Sequence, residues 1–278
     1  MGRTGVVTDS TADFTTDAVK RYSISIVPLV VNWDGATYRD KVDLTTADFY
    51  RRLKDSKTSP TTGAPNLALF EDAFNAQLER HDSVICVTLA SKLSATYDVA
   101  TQAAKSVDPK RIRVIDSRTV TVCLGWLAED AAELGEQGKT ADEIVPIIEE
   151  RASRMRIYTT MDSLEYLRRG GRIGRAAALA GTLLNVKPIL AIHDGEVHPV
   201  ERVRTLSGAL RRIPELVAAL GPIERIAVKE GGASESADQL QRMVEEKFPG
   251  IEVGRGQIGS VLGVHGGPGV VGVATMLA

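Results

Sequence analysis

Residues 83–97 read SVICVTLASKLSATY. The first seven are apolar at most positions and rich in β-branched side chains. A continuous apolar run of that length marks a strand covered on both faces. It then turns polar through Ser91 and Ser94 and runs into a helix-compatible stretch that lasts to about Val107. A buried strand that passes through a short polar turn into a helix is the first half of a βαβ unit. The same grammar recurs on either side. Gly5–Thr11 (GVVTDST) is a short strand ending in Asp9-Ser10-Thr11, with Ser10 or Thr11 expected to cap a helix over 12–21. Arg111–Ile115 is a third strand, closing in Asp116-Ser117 before a helix around Thr121–Gln137. Open α/β sheets build their sites at the carboxyl ends of strands. Three polar clusters at the same end of one sheet therefore point to a site there.

Between these units Ile24–Val31 is another apolar run, and Val30–Tyr38 (VVNWDGATY) carries a hairpin signal at Asp34-Gly35. Leu44–Tyr50 opens a helix with a Thr or Asp cap. Thr58–Asn66 (TSPTTGAPN) is a hydroxyl-rich loop with two prolines, leading into a helix over 67–80. As structure it is a connector. As chemistry it sets neutral donors ahead of a helix N-terminus, an arrangement that suits an anion. Lys139–Arg154 is a charged helix, and the domain boundary is placed just after it. The expected fold class is α/β with two domains: 1–154, built on a parallel sheet, and 155–278, a mixed α+β domain.

The second half has a different texture. A strand at Ile157–Thr160 precedes a brief capped helix over 162–167, which ends in Arg168-Arg169-Gly170-Gly171-Arg172. The small apolar stretch Ala176–Leu184 reads as a buried helix packed at close range. Residues 185–192 and 196–203 flank a good turn, His193-Asp194-Gly195, and helices over 205–220 and 235–248 bracket a strand at Ile223–Val228. Near the end, Val261–Val273 (VLGVHGGPGVVGV) sets His265 beside a Gly-Gly-Pro-Gly run. Glycines permit close backbone approach and positive φ, so such a segment aims one imidazole into a confined space. Ser260–His265 is read as β-like.

Several function classes are excluded. A net charge of −2 gives no electrostatic case for a nucleic-acid partner. No apolar run approaches the roughly 20 residues of a bilayer span, so no stable membrane insertion is expected and the expected compartment is the cytoplasm. Cys86 and Cys123, distant and in apolar contexts, read as buried free thiols rather than a disulfide or metal pair. The four histidines show no paired metal-ligand spacing. Gly254–Gly259 (GRGQIG) matches the dinucleotide pattern G-x-G-x-x-G, but lacks the following helix and acidic residue that the mechanism needs. A serine hydrolase or esterase with Ser94 as nucleophile, His265 as base and Asp116 or Asp9 as orienter is the enzymatic alternative. No G-x-S-x-G elbow surrounds any serine.

The motifs VVTDSTADF (6–14), PTTGAP (60–65), SKLSATY (91–97), VIDS (114–117), LEYLRRGGRIGRAAALAGTLLNVKPIL (164–190), DGEVHPVERVRT (194–205) and GVHGGPGVVGV (263–273) run nearly end to end. Together they resemble the bacterial DegV family, of the type that serves as the fatty-acid-binding subunit of a fatty acid kinase. The resemblance implies a long-chain, palmitate-like fatty acid held between two α/β domains, with no cofactor. It also implies a non-catalytic role, since a separate ATP-dependent kinase would form the acyl phosphate. Thr62, Ser94 and His265 match the positions that hold the carboxylate, with Thr61 and Ser91 adjacent. Arg172 matches an exposed arginine that serves the kinase partner. The chain departs from the family where Gly63-Ala64 replaces a frequent Ser-Gln and Ala95 a frequent Gly. Both departures leave the hydroxyls in place.

Overall fold

A computed structural model of the protein describes residues 4–14, 17–179 and 186–278. The first half runs β1 (Thr4–Asp9), α1 (Ala18–Arg21), β2 (Ser25–Val27), β3 (Val30–Trp33), β4 (Ala36–Arg39), α2 (Thr46–Asp55), β5 (Thr61–Gly63) and α3 (Leu67–Leu78). It continues through β6 (Ser83–Thr88), α4 (Thr96–Val107), β7 (Ile112–Asp116), α5 (Thr121–Glu136) and α6 (Ala141–Ser153). Strands β2-β1-β6-β7 form the expected parallel sheet. Alternate residues of β6 enter opposite cores, which is why the whole strand is apolar. Val84 and Cys86 pack with Phe70, Phe74 and Ala100 on one face. Ile85 and Val87 pack with Leu124 and Leu127 of α5 on the other. Both cysteines are buried free thiols.

Three local expectations fail here. The apolar run at Ile24–Val31 is two strands in two sheets, since β3 leaves β2 to pair with β4 and β5 in a separate antiparallel sheet. The hydroxyl loop is thus more than a connector, because Thr62 is held in register opposite Val31. Helix α1 starts at Ala18, and neither Ser10 nor Thr11 caps it. Ser10 Oγ accepts from Leu29 N at 3.1 Å, while Thr11 donates both its N–H and its hydroxyl to Asp9 Oδ1. A buried carboxylate that gathers nearby donors in this way competes with helix formation.

The second half contains β8 (Met155–Thr160), α7 (Glu165–Arg169), a 3-10 turn (Gly174–Leu179), β9 (Lys187–His193) and β10 (Glu196–Val203). Then come α8 (Leu206–Ala218), β11 (Ile223–Gly231), α9 (Ser234–Lys247), β12 (Val253–Gln257), α10 (Ser260–Gly266) and β13 (Val270–Leu277). Its six-stranded sheet has the order β10-β9-β8-β13-β11-β12, antiparallel except for the β11–β12 pair. Helices α8 and α9 cover one face. The other face meets the first half through α5, and Ile157, Ala274 and Met276 share a core with Ile85 and Leu124. Asp130 of α5, fully buried, pairs with Arg225 of β11 at 2.6 Å and with Arg151 of α6 at 2.6 Å.

Two further readings are corrected. Ser260–Gly266 is a helix, not β-like, because Val261 and Val264 face the core at helical spacing and Gly267, at φ +73°, ends it. The dinucleotide reading still fails. Gly254 and Gly256 lie inside β12, and the strand after α10 runs antiparallel to β11 while β12 runs parallel to it. The segment Ala176–Leu184 is not a buried α-helix where it is described: Ala176 is buried, but Ala177 and Ala178 of the 3-10 turn are exposed. Residues 180–184 lie outside the described residues. Among the described residues, no helix is long and apolar enough to cross a membrane.

Candidate functional site

Helix α10 is wedged between the two halves, and its orientation decides where His265 points. Its first turn is tied down by Gly259 N–H, which donates to both oxygens of Asp13 at 3.2 Å. Its middle lies flat on aromatic rings, because a Cβ on Gly263 would fall 2.6 Å from both Phe49 and Tyr50. In the last turn His265 Nε2 meets Thr62 Oγ1 at 2.9 Å, joining residues 203 apart in sequence. The other ring nitrogen, Nδ1, is sealed from solvent without a hydrogen-bond partner. It lies so close to Gly170 that a Cβ there would come within 2.1 Å of it. Gly170 has an ordinary helical φ of −73°, so the need for glycine is steric.

Burial, and then the positive charge of Arg172, hold the His265 pKa down at about 4, so the imidazole is neutral near pH 7. With its proton on Nε2, the ring donates to Thr62 and frees the threonine hydroxyl proton for an acceptor in the cavity. That tautomer leaves on Nδ1 only a bare lone pair. Ser94 stands before α4, where its Oγ shares a 2.9 Å hydrogen bond with Thr96 Oγ1. Arg172, expected to reach solvent, is instead half-buried. Its Nε donates to Leu93 O at 3.0 Å and its Nη1 to Gly170 O at 2.6 Å. The broken helix end returns the side chain toward the body rather than away from it. Among the described residues, no carboxylate pairs with Arg172.

These groups stand at the junction of two chambers. The inner one encloses about 200 Å³ and is walled by Leu89, Leu93 and Val120 from the first half and Ile157, Leu190 and Ile192 from the second. Thr62, Ser94, Arg172 and His265 supply polar atoms to its wall. The outer one, about 190 Å³, is lined by Ser59, Thr61, Tyr166 and Arg169, and shares Thr62, Arg172 and His265 with the first. The arrangement is an apolar container with a polar collar of neutral donors and one cation. It suits an amphiphile with an anionic head.

The remaining sequence candidates fall outside the collar. Thr61 is exposed and lines only the outer chamber. Ser91 lines neither, because Asp116 accepts from both its hydroxyl and its N–H. The hydrolase constellation does not assemble. Asp116 is committed to Ser91 and Arg118 N, and Asp9 to Thr11 and Leu89 N, so neither orients His265 Nδ1. Burial pushes the Asp9 carboxyl up to about 6 against the pull of those hydrogen bonds. Among the described residues, no cluster of His, Cys, Asp or Glu offers a metal site. Among the polar wall residues, sequence reasoning missed three, Thr121, Thr159 and Lys229. It also ended the β11 strand at Val228, although β11 runs on to Gly231. A charged pair at the end of an apolar strand was the available signal.

Comparison with known proteins gives a consistent result. The model described as "Uncharacterised protein, DegV family" matches residues 3–277. A DegV domain-containing protein of Caldanaerobacter subterraneus is 36% identical over 276 residues, covering 98% of each chain. The solved structure of a fatty-acid-binding DegV family protein from Thermus thermophilus superimposes with a TM-score of 0.91 at 31% identity, over 99% of this chain and 100% of that one. DegV of Bacillus subtilis, a fatty acid binding protein, gives a TM-score of 0.89 at 32% identity over the full length of both chains.

Proposed function

The chain belongs to the DegV family, and from that premise we propose that it carries a long-chain fatty acid, palmitate or similar, and presents the carboxylate to a separate ATP-dependent kinase. The halves 1–154 and 155–278 are taken as the two domains that close on the acyl chain. The observation that carries this reading is the collar: a neutral imidazole, two hydroxyls and a half-buried arginine at the mouth of a hydrocarbon-lined chamber. Each buried methylene is worth about 0.8 kcal/mol, so a C16 tail supplies on the order of 10 kcal/mol before binding costs. The collar contributes mainly by sparing the carboxylate an unsatisfied burial. Thr62 and Ser94 donate to it, His265 fixes Thr62, and the Arg172 charge offsets the desolvation of the anion. Thr61 lies one residue outward, and Ser91 acts through Asp116 on the shape of its loop.

The outer chamber, on this reading, is the way in for the phosphoryl donor. Arg172 stands where head group and partner meet, and we assign it the docking role at that rim. The chain itself supplies no nucleotide site to this scheme and acts as the binding subunit. The test is acyl phosphate formation from palmitate and ATP by the catalytic subunit of a fatty acid kinase, with and without this chain. Acyl phosphate is expected to form only with the chain present, and at a sharply lower rate with Arg172→Ala at saturating lipid. Acyl phosphate formed equally well without the chain contradicts the presenting role. An unchanged rate with Arg172→Ala removes the docking role alone.

A further inference from the structure

We propose that the inner chamber contains a polar subsite, built on Lys229, that favours acyl chains carrying a hydroxyl or oxo group away from the carboxylate. The proposal rests on the fatty-acid reading of the same chamber and refines it. Lys229 on β11 is paired with Gly272 on β13, and Gly272 with Thr159 on β8. The three form one row across the sheet, and all three line the chamber. Val270, which packs against Gly266 beside His265, lies two residues before Gly272 on the same strand face. Two strand residues span about 7 Å, roughly five or six carbons of an extended acyl chain, so the row meets the chain several carbons beyond its head.

The lysine is poorly provided for by the protein. It is 3% exposed, yet among the described residues its ammonium makes one hydrogen bond, to the main-chain oxygen of Asp13 at 3.2 Å. An ammonium has three donors. The carboxylates nearby are taken: Asp13 by Lys41, Thr121 and Gly259 N, and Glu230 by Ala233 N and Gln257. Glycines flank the side chain on both neighbouring strands. A Cβ on Gly256 would lie 2.5 Å from Nζ, so this room is needed for the amine to sit where it does. Burial lowers the Lys229 pKa against the pull of Asp13. Thr121 and Thr159 each spend their hydroxyl proton on the protein, on Asp13 and on Val271 O, and keep oxygen lone pairs. The wall therefore offers spare donors on Lys229 and spare acceptors on the two threonines. A plain alkyl chain leaves all of them unsatisfied, whereas a hydroxyl or oxo oxygen accepts from Lys229.

The experiment is equilibrium titration of delipidated protein with octadecanoate, 7-hydroxyoctadecanoate and 7-oxooctadecanoate, for wild type and Lys229→Met. Wild type is expected to bind an oxygenated acid about tenfold or more tightly than octadecanoate, the worth of one hydrogen bond to a charged donor. Lys229→Met is expected to abolish that preference, bringing the ratio of the oxygenated-acid and octadecanoate affinities to about one. Equal or weaker binding of both oxygenated acids by wild type overturns the subsite while leaving the fatty-acid reading intact. A preference that survives in Lys229→Met overturns the role of the lysine. Binding of none of the three acids overturns both readings together. The wild-type comparison needs no variant, so it decides the matter even if Lys229→Met does not fold.

Discussion

Replacing Gly170 by alanine is the sharpest perturbation of the collar, because it adds one methyl group and changes no polar atom. The backbone accepts it, since φ is −73°. In isolation such a change stabilises by about 0.4–1 kcal/mol through the unfolded state. The new Cβ, however, would lie 2.1 Å from His265 Nδ1 and 2.7 Å from Cε1. Contacts of this kind settle near 3.5 Å, so ring and methyl must part by roughly 1–1.5 Å. The 2.9 Å bond between Nε2 and Thr62 Oγ1 does not survive a shift of that size. Its loss costs about 1 kcal/mol of stability, which nearly cancels the gain. Gly170→Ala is therefore expected to melt within a few degrees of wild type. Its fatty-acid affinity falls by about tenfold or more, because Thr62 is no longer held toward the head group. The assay is titration of delipidated protein with a fluorescent fatty acid, run beside thermal unfolding. In a His265→Ala background the same glycine change is expected to add almost nothing, since the two share one mechanism. Wild-type affinity in Gly170→Ala, or full additivity in the double variant, rules out this steric coupling of Gly170 to His265.

Thr62→Val and Ser94→Ala each remove a hydroxyl from a buried carboxylate and are expected to weaken binding by about 1.5–3 kcal/mol without loss of fold, read by the same titration. Asp130→Asn leaves Arg225 without its carboxylate across the junction of the two halves and Arg151 without its carboxylate within the first. It is expected to lower stability by about 3–5 kcal/mol in denaturant unfolding. The pH dependence has two opposed parts. His265, held at about 4 in the fold against an ordinary 6.5, contributes stability that is complete above pH 6.5 and is lost as pH falls toward 4. Asp9, raised from 3.8 to about 6, imposes a penalty above pH 6 that is relieved as pH falls toward 3.8. His265→Asn removes only the first part. Between pH 6.5 and 4, wild type is therefore expected to lose roughly 2 kcal/mol relative to that variant, after allowance for the partly exposed ring. Parallel stability curves contradict the assignment.

The parallel half was legible because its central strands, β1 and β6, are buried on both faces, and SVICVT is apolar at most positions. Turns were legible where chemistry is local, as at Asp34-Gly35 and Asp194-Gly195, all four with positive φ. What escaped was imposed from outside the segment concerned. Ser260–Gly266 holds two glycines and poor helix formers. It is helical because Gly263 lets it lie on Phe49 and Tyr50 and Asp13 anchors its start. β5 is three residues long and exists only because β3 offers an edge. The inward turn of Arg172 depends on Leu93 O, 79 residues away, which no local pattern encodes. The hydroxyls and the imidazole of the collar could be nominated from their loops. Their convergence required knowing that α10 is a helix, or recognising the family motifs.

The most direct test of the carrier reading is native mass spectrometry of the protein as purified, followed by lipid extraction from the same sample. The expected result is one long-chain fatty acid per chain, released on unfolding and taken up again when palmitate is added to delipidated protein. A chain that carries no acyl ligand and takes up no palmitate contradicts it. So does a chain that hydrolyses p-nitrophenyl esters with an activity lost in Ser94→Ala.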